Sequence, residues 1–194
     1  MKTTSRGRPN EVRLIGGQWK RSKLPVAERP GLRPTPDRVR ETLFNWLGQD
    51  LTGWRVLDAF AGSGALGFEA ASRGARQVLL LEQDARLVAS LNASAQRLGA
   101  SGLEARRGDA MAWMASAPPA AWELVLLDPP FDAALAPAAA RLAAALVVPG
   151  GFVYVESGEP IAEPPPGLES HRQGQAGAVC FQLFRRGYTA PVSS

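Results

Sequence analysis

The sequence predicts an α/β fold, a mostly parallel sheet with crossover helices and an antiparallel C-terminal end, and three observations carry that expectation. From Trp54 onward, short β-branched or Leu-rich runs alternate with Ala-rich helical segments, which is the rhythm of strand, crossover helix and parallel strand. The first of these runs passes into a helical pattern through a tight Gly-rich turn, residues 58–67, as strand-to-helix joints in such folds do. The last two runs, 168–172 and 178–185, have no helical pattern between them, so they predict a hairpin.

In chain order, residues 12–15 and 19–24 flank Gly16 and Gly17 and predict a short β-hairpin ahead of the sheet. The Pro-rich stretch 25–36 reads as an extended connector, after which Asp37 is placed to cap a helix over 37–47. Val39, Leu43, Phe44 and Leu47 share one face of that helix and point it at the core, leaving Arg38 and Arg40 free to look elsewhere. Strands are expected at 55–58, 77–82, 103–107, 124–128 and 151–156, and helices at 64–73, 85–98, 110–115 and 133–146. The Pro-rich residues 160–167 form a connector to the hairpin around 173–177. The expected organisation is a basic arm and hairpin over 1–36, a main domain over 37–188 and a tail over 189–194.

A chain of 194 residues, 45% hydrophobic and 21% charged, suits one globular domain with a short appendage. The most apolar stretch, 133–148, is interrupted by Pro137 and Arg141 and is too short for a membrane span. The basic N-terminus lacks the apolar centre of a signal peptide. A single cysteine, Cys180, in an apolar run predicts a packed core thiol and a cytoplasmic location. The net charge of +4 hides two opposite parts: residues 1–40 contribute +8, from 11 Lys or Arg against 3 acids, and the remainder −4. Such a basic segment attracts a phosphate backbone without reading its sequence, although a solvated tail would have the same composition.

Asp58-Ala59-Phe60-Ala61-Gly62-Ser63-Gly64 opens the first site motif. The glycines let the backbone bend sharply and let a ligand approach closely. Gly62, Gly64 and Gly67 also fit the dinucleotide fingerprint, so their spacing alone leaves a nicotinamide cofactor open. Asp58 at the strand end tilts the choice towards a cationic amino-acid cofactor, because a carboxylate repels a pyrophosphate. Glu82 closes the second strand, where a carboxylate accepts hydrogen bonds from ribose hydroxyls. Gly108-Asp109-Ala110 ends the third; Asp109 suits an adenine amino group, or simply a helix N-cap.

Asp128-Pro129-Pro130-Phe131 follows the apolar run 124–127 and matches the problem of methylating an exocyclic amine. The lone pair of such an amine is delocalised into its ring. Two acceptors, the Asp128 carboxylate and the Pro129 carbonyl, can hold its hydrogens and turn the nitrogen tetrahedral, with the lone pair aimed at a methyl donor. The prolines stiffen the loop, and Phe131 can stack on the base.

These motifs resemble known ones. Residues 58–67 are similar to the first cofactor motif of class I, S-adenosylmethionine-dependent methyltransferases, and 128–131 to the D/N-P-P-Y/F/W motif of their amino-methylating members. Arg13-Leu14-Ile15-Gly16-Gly17, Gly31-Leu32-Arg33-Pro34-Thr35 and residues 37–47, with 62–67, resemble the bacterial 16S ribosomal RNA guanine-N2 methyltransferases in order. The likeness runs from about Arg13 to Glu156. It implies a Rossmann-like fold with a seven-stranded sheet, S-adenosylmethionine held by Asp58, Phe60, Gly62, Gly64, Glu82, Asp109 and Ala110, and a base held by Asp128, Pro129, Pro130 and Phe131. It implies methylation of a loop guanine, position 966 of that RNA, with the RNA or a partly assembled small subunit as partner. Arg13, Lys20, Arg21, Lys23, Arg33 and Arg38 are the candidate RNA contacts. Phe68 and Ala71 stand where the family pattern has leucines, as core substitutions.

Three other functions stay open at this point: an adenine-N6 methyltransferase acting on DNA or RNA, a catalytically idle RNA-binding assembly factor, and an NAD-dependent oxidoreductase. The last leaves 128–131 unexplained. No metal is expected, His171 is given no metal or general-base role, and a monomer without membrane association is expected. Of the five tryptophans, only Trp19, in the basic hairpin, is a candidate for stacking on a base.

Overall fold

The computed structural model describes residues 11–27, 34–130 and 134–188. Its centre is a seven-stranded sheet with the order β5-β4-β3-β6-β7-β9-β8. The strands are β3 (Arg55–Asp58), β4 (Gln77–Glu82), β5 (Leu103–Arg107), β6 (Trp122–Leu127), β7 (Val147–Ser157), β8 (Leu168–Ala176) and β9 (Val179–Arg186). The first five run parallel, and β9 pairs antiparallel with both β7 and β8. The α/β expectation and its antiparallel end are therefore both observed. Val78, Leu79, Leu80 and Leu81 are all buried, as are Leu124–Leu127, because crossover helices cover both faces of a parallel sheet.

On one face lie α1 (Asp37–Leu47), α2 (Ala65–Ser72) and α3 (Ala85–Leu98), whose apolar residues pack with Val56, Val78 and Leu80. On the other lie α4 (Ala110–Ser116) and α5 (Leu135–Leu146) over Leu57, Leu79, Val125 and Val153. The buried side of α5 is largely alanine, residues 136, 139, 140, 143 and 144, so its backbone can lie close to the sheet. Phe68 and Ala71 are buried on α2 and Cys180 on β9, as expected of core positions.

The boundaries that differ have local causes. β6 and β7 start earlier than expected, at Trp122 and Val147, because Ala120 and Ala121 bond back to the end of α5 and align the two strands there. The C-terminal hairpin keeps pairing to Ala176↔Val179, so its turn is only Gly177 and Ala178, with Gly177 at φ +60°.

Helix α1 is capped by Pro36 without a side-chain bond; Asp37 does not cap it but pairs with Arg40 at 2.5 Å and Arg13 at 3.4 Å. Arg40 does not look outward. It is fully buried.

The N-terminal hairpin is shorter than expected: β1 (Glu11–Arg13) pairs with β2 (Lys23–Pro25), and residues 19–22 belong to the connecting turn. Its tip is pressed onto the end of α2. A Cβ at Gly17, whose φ is +72°, would lie 1.9 Å from the Ser72 carbonyl oxygen, so glycine is required there by space as well as by dihedral. The Gln18 N–H donates to that carbonyl and the Trp19 N–H to the Ser72 hydroxyl. Glu69 completes the clamp, accepting from the Ile15 and Gly16 N–H groups and from the guanidiniums of Arg40 and Arg73. Among the described residues no helix is long and apolar enough to cross a membrane.

Candidate active site

Sheet order reverses between β3 and β6, and the crevice beyond their carboxyl ends is where open α/β sheets bind ligands. Here each of the five parallel strands delivers an acid to that edge: Asp58 on β3, Glu82 on β4, Asp109 just after β5, Asp128 just after β6 and Glu156 on β7. A cavity of about 720 Å³ occupies the crevice, ample for a cofactor with part of a second substrate. Asp58, Phe60, Gly62, Glu82, Asp109, Ala110, Asp128, Pro129 and Pro130 all line it, together with Pro34, Thr35, Ser63 and Met111. Residues as far apart in sequence as Pro34 and Pro130, 96 positions, thus line one cavity.

The Gly-rich turn is shaped by its own backbone bonds. Gly62 (φ +53°) donates its N–H to Glu82 Oε2 at 3.0 Å, while Oε1 accepts from the Asp84 N–H at 2.9 Å. Glu82 is therefore oriented from both sides, and each oxygen keeps a lone pair for a ligand hydroxyl. Gly64 does not line the cavity. It starts α2 in a left-handed conformation (φ +78°), and a Cβ there would strike Leu91 and Phe68. Gly67 lies against the sheet, where a Cβ would stand 2.2 Å from Leu80, and its N–H donates to Asp58 Oδ2 at 2.9 Å.

Asp58 is almost wholly buried, and its Oδ1 has no hydrogen bond of normal geometry. Burial pushes its carboxyl up to about 7, the Gly67 N–H and, less strongly, the Phe60 N–H pull it back, and the charges of Glu82 and Glu156 add to the rise. An orphaned buried oxygen beside a cavity is a place for a donor. A cationic amino group fits it, so the residues present fit the amino-acid end of S-adenosylmethionine.

Asp109 fulfils its capping role, accepting from the Ala112 N–H at 2.7 Å, while its other oxygen accepts from Gln83 Nε2 at 2.7 Å. It still faces the cavity, where an adenine amino group can share or replace the Gln83 donor.

Asp128 keeps part of its surface open to the cavity, but protein surrounds it otherwise. Desolvation first, then the charges of Glu156 and Asp58, raise its carboxyl well above the ordinary range, against a lowering hydrogen bond from Thr35. Thr35, the last residue of the 31–35 motif, and Glu156 are assigned no role from the sequence, yet both stand at the site. The Thr35 hydroxyl lies 2.9 Å from Glu156 Oε1 and 3.4 Å from Asp128 Oδ2. A signal was present for Glu156: it ends its strand with an acid, as the other four strands do.

Of the expected RNA contacts, Arg13, Lys20, Arg21, Lys23 and Arg38 are exposed. Arg13 pairs with Asp37 and Lys23 with Glu11, whereas Lys20, Arg21 and Arg38 make no ion pair among the described residues. Phe131 and Arg33 lie outside the described residues. Trp19 is half-buried against the core, and the other tryptophans also pack: Trp46 on Phe181, Trp54 on Phe152 and Trp113 against Trp122. His171 leans on the Phe152 ring, and burial lowers its imidazole.

Residues 12–185 match the family described as Conserved hypothetical protein 95. The Ribosomal RNA small subunit methyltransferase D of Escherichia coli is 38% identical over 190 residues, 96% of each chain. The chain belongs to that family. The Haemophilus influenzae protein of the same name is 42% identical over 154 residues, covering 76% of this chain and 79% of its own. The solved structure of the Escherichia coli protein yhhF superposes with a TM-score of 0.83 at 37% identity, over 93% of this chain and all of that one. The family that the motifs resemble is thus the family the whole chain matches, and the match includes the hairpin and the C-terminal strands.

Proposed function

We propose that this chain transfers the methyl group of S-adenosylmethionine to the exocyclic N2 amine of a guanine in 16S ribosomal RNA, guanine 966 by its family. One observation carries the reading. A single cavity joins an acid-lined cofactor crevice, Asp58, Glu82 and Asp109, to the rigid amine-holding loop Asp128-Pro129-Pro130. Four carboxyls lining one cavity, Asp58, Glu82, Asp109 and Asp128, disfavour a pyrophosphate, which argues against a nicotinamide dinucleotide. The family's shared name for ribosomal RNA methylation agrees with the amine-holding loop.

S-adenosylmethionine supplies an electrophilic methyl on a positively charged sulfur, which departs as a neutral thioether. The protein's part is placement. Asp58 faces the amino group, Glu82 the ribose hydroxyls and Asp109 the adenine edge. Asp128 and the Pro129 carbonyl accept the two amine hydrogens, so the nitrogen lone pair is freed from the ring and aimed along the line of attack. Phe131 stacks on the base. Lys20, Arg21 and Arg38, exposed and without ion pairs among the described residues, attract phosphate, with Arg13, Lys23 and Arg33 beside them in sequence.

Tritiated methyl transfer to small-subunit particles from a strain lacking the gene, followed by nucleoside mapping, tests this. N2-methylguanosine is expected. Methyladenosine would replace guanine by adenine as the acceptor, and no transfer would leave an RNA-binding assembly factor. Asp128→Ala should abolish transfer while S-adenosylmethionine still binds.

A further inference from the structure

Asp128 and Glu156 come together because β6 and β7 are parallel neighbours paired Leu127↔Val155, so the next residue of each strand faces the same space. Between them sits the Thr35 hydroxyl, 2.9 Å from Glu156 and 3.4 Å from Asp128. Tyr154 donates its phenol to the same Glu156 oxygen at 2.9 Å. Thr35 is held in place by Arg40, whose Nε donates to the Thr35 carbonyl at 3.1 Å.

The hydrogens can be counted. Glu156 Oε1 meets two hydroxyls, Thr35 and Tyr154, each with one hydrogen to give. Thr35 has one hydrogen and two carboxylate acceptors, Glu156 at 2.9 Å and Asp128 at 3.4 Å; when the hydrogen goes to the nearer Glu156, Thr35 Oγ1 is left to accept from the Asp128 side. The chain of bonds is satisfied when Asp128 carries a proton and Glu156 does not: Asp128 O–H to Thr35 Oγ1, Thr35 O–H to Glu156, Tyr154 O–H to Glu156. The groups facing this chain are the Asp58 carboxyl from β3, Tyr154 itself and the Cys180 thiol from β9. None is a cation, and no described Lys, Arg or His pairs with either acid. Nor, among the described residues, does any group of three or more His, Cys, Asp or Glu stand ready for a metal ion. Two buried acids without a cation hold one proton between them.

A protonated Asp128 is the wrong partner for an amine hydrogen, since it has a hydrogen of its own to place. We propose that Glu156 is a positioning residue that takes the proton of Asp128 through Thr35, turning Asp128 into the acceptor that the amine requires. The Asp128 O–H bond breaks as a bond to Thr35 Oγ1 forms, and the original Thr35 hydrogen passes to Glu156. The pair's charge is unchanged, with one negative charge before and after. Burial, which raises both carboxyls, and the charges of Glu156 and Asp58, which raise Asp128 further, favour this single-charge state over two ionised acids. The inference rests on the proposed role of Asp128 in holding the amine.

The test is steady-state methyl transfer to the small-subunit particle at pH 7, with S-adenosylmethionine affinity measured separately by calorimetry. Thr35→Val, which cuts the connection, should lower kcat at least tenfold, with S-adenosylmethionine affinity within about threefold of wild type. Thr35→Ser should restore kcat. Adding Glu156→Gln to Thr35→Val should recover most of the loss, because without the charge at position 156 Asp128 ionises unaided. Wild-type kcat in Thr35→Val, or a double variant no better than Thr35→Val, overturns the inference. Full activity of Asp128→Ala would instead overturn the amine-holding site on which it stands.

Discussion

Glu69 on α2 and the Asp58, Asp128 and Glu156 group on the sheet are all acids withdrawn from solvent, yet only Glu69 meets arginines. It pairs with Arg40 at 3.1 Å and Arg73 at 3.0 Å and accepts two backbone N–H groups from the hairpin. Every lone pair has a donor, and the result is a joint that holds the N-terminal hairpin to the core. The sheet group has one orphaned oxygen, one shared hydroxyl and no cation. A fully compensated buried charge is a fastening, whereas an uncompensated group beside a cavity is set for something to enter.

The largest effect should come from unmaking the fastening. Glu69→Ala leaves the buried Arg73 without an acid and Arg40 with only the half-exposed Asp37, and breaking such a buried pair costs about 3–5 kcal/mol. Urea unfolding should show that loss, and a change under 1 kcal/mol would mean the joint is not what holds the hairpin.

Next is the pH dependence of cofactor affinity. A cationic ligand binds the ionised form of Asp58, which in the free protein carries its proton below about 7. Affinity for S-adenosylmethionine should therefore fall by up to tenfold per unit as pH drops beneath 7 and level off above it. Asp58→Asn should bind weakly with that slope removed. An unchanged slope in the variant would place the titrating group elsewhere.

A smaller effect, of opposite sign to that of Glu69, is expected for the site acids. A carboxyl whose folded value is raised binds more protons folded than unfolded, so it subtracts stability as pH rises through the interval between the two. Asp128→Asn should accordingly raise Tm by a few degrees at pH 8 and by less at pH 5. A fall at both pH values would show that Asp128 is compensated after all. The smallest change belongs to the surface: replacing Lys20 and Arg21 by Ala should flatten the salt dependence of RNA binding by about one phosphate contact's worth per residue. An unchanged slope would put the RNA on another face.

The comparison also explains what could be seen in the sequence. Strands β3, β4 and β5 and helices α1 and α3 have the expected limits, because their apolar periodicity is dictated by the sheet they cover. The acids of the crevice are legible in the sequence because they sit at predictable strand ends. The fastening was not. Arg40 looks like a surface residue of an amphipathic helix, and only a partner 29 positions away, buried with it, makes it internal. Glu69 stood in an almost wholly apolar helix, Ala65–Ser72, which was the one available hint. The Thr35 to Glu156 contact spans 121 positions and depends on the pairing of β6 with β7, so no local pattern announces it.

The place of β9 has a consequence for the order in which the chain assembles. It is the last described strand in sequence but an interior one in space, between β7 and β8. Until residues 179–186 exist, β7 has one bare side, and Phe181, Leu183 and Phe184, all buried in the finished protein, are missing from its core. Parallel pairing of β3 to β7 can begin as soon as those strands emerge during synthesis. The strand that carries Tyr154 and Glu156, however, is an open edge until β9 has been made, and an open edge invites the wrong neighbour. The wall of the crevice that carries Tyr154 and Glu156 thus waits on residues 179–186, which makes truncation before β9 far more damaging than its place outside the crevice would suggest.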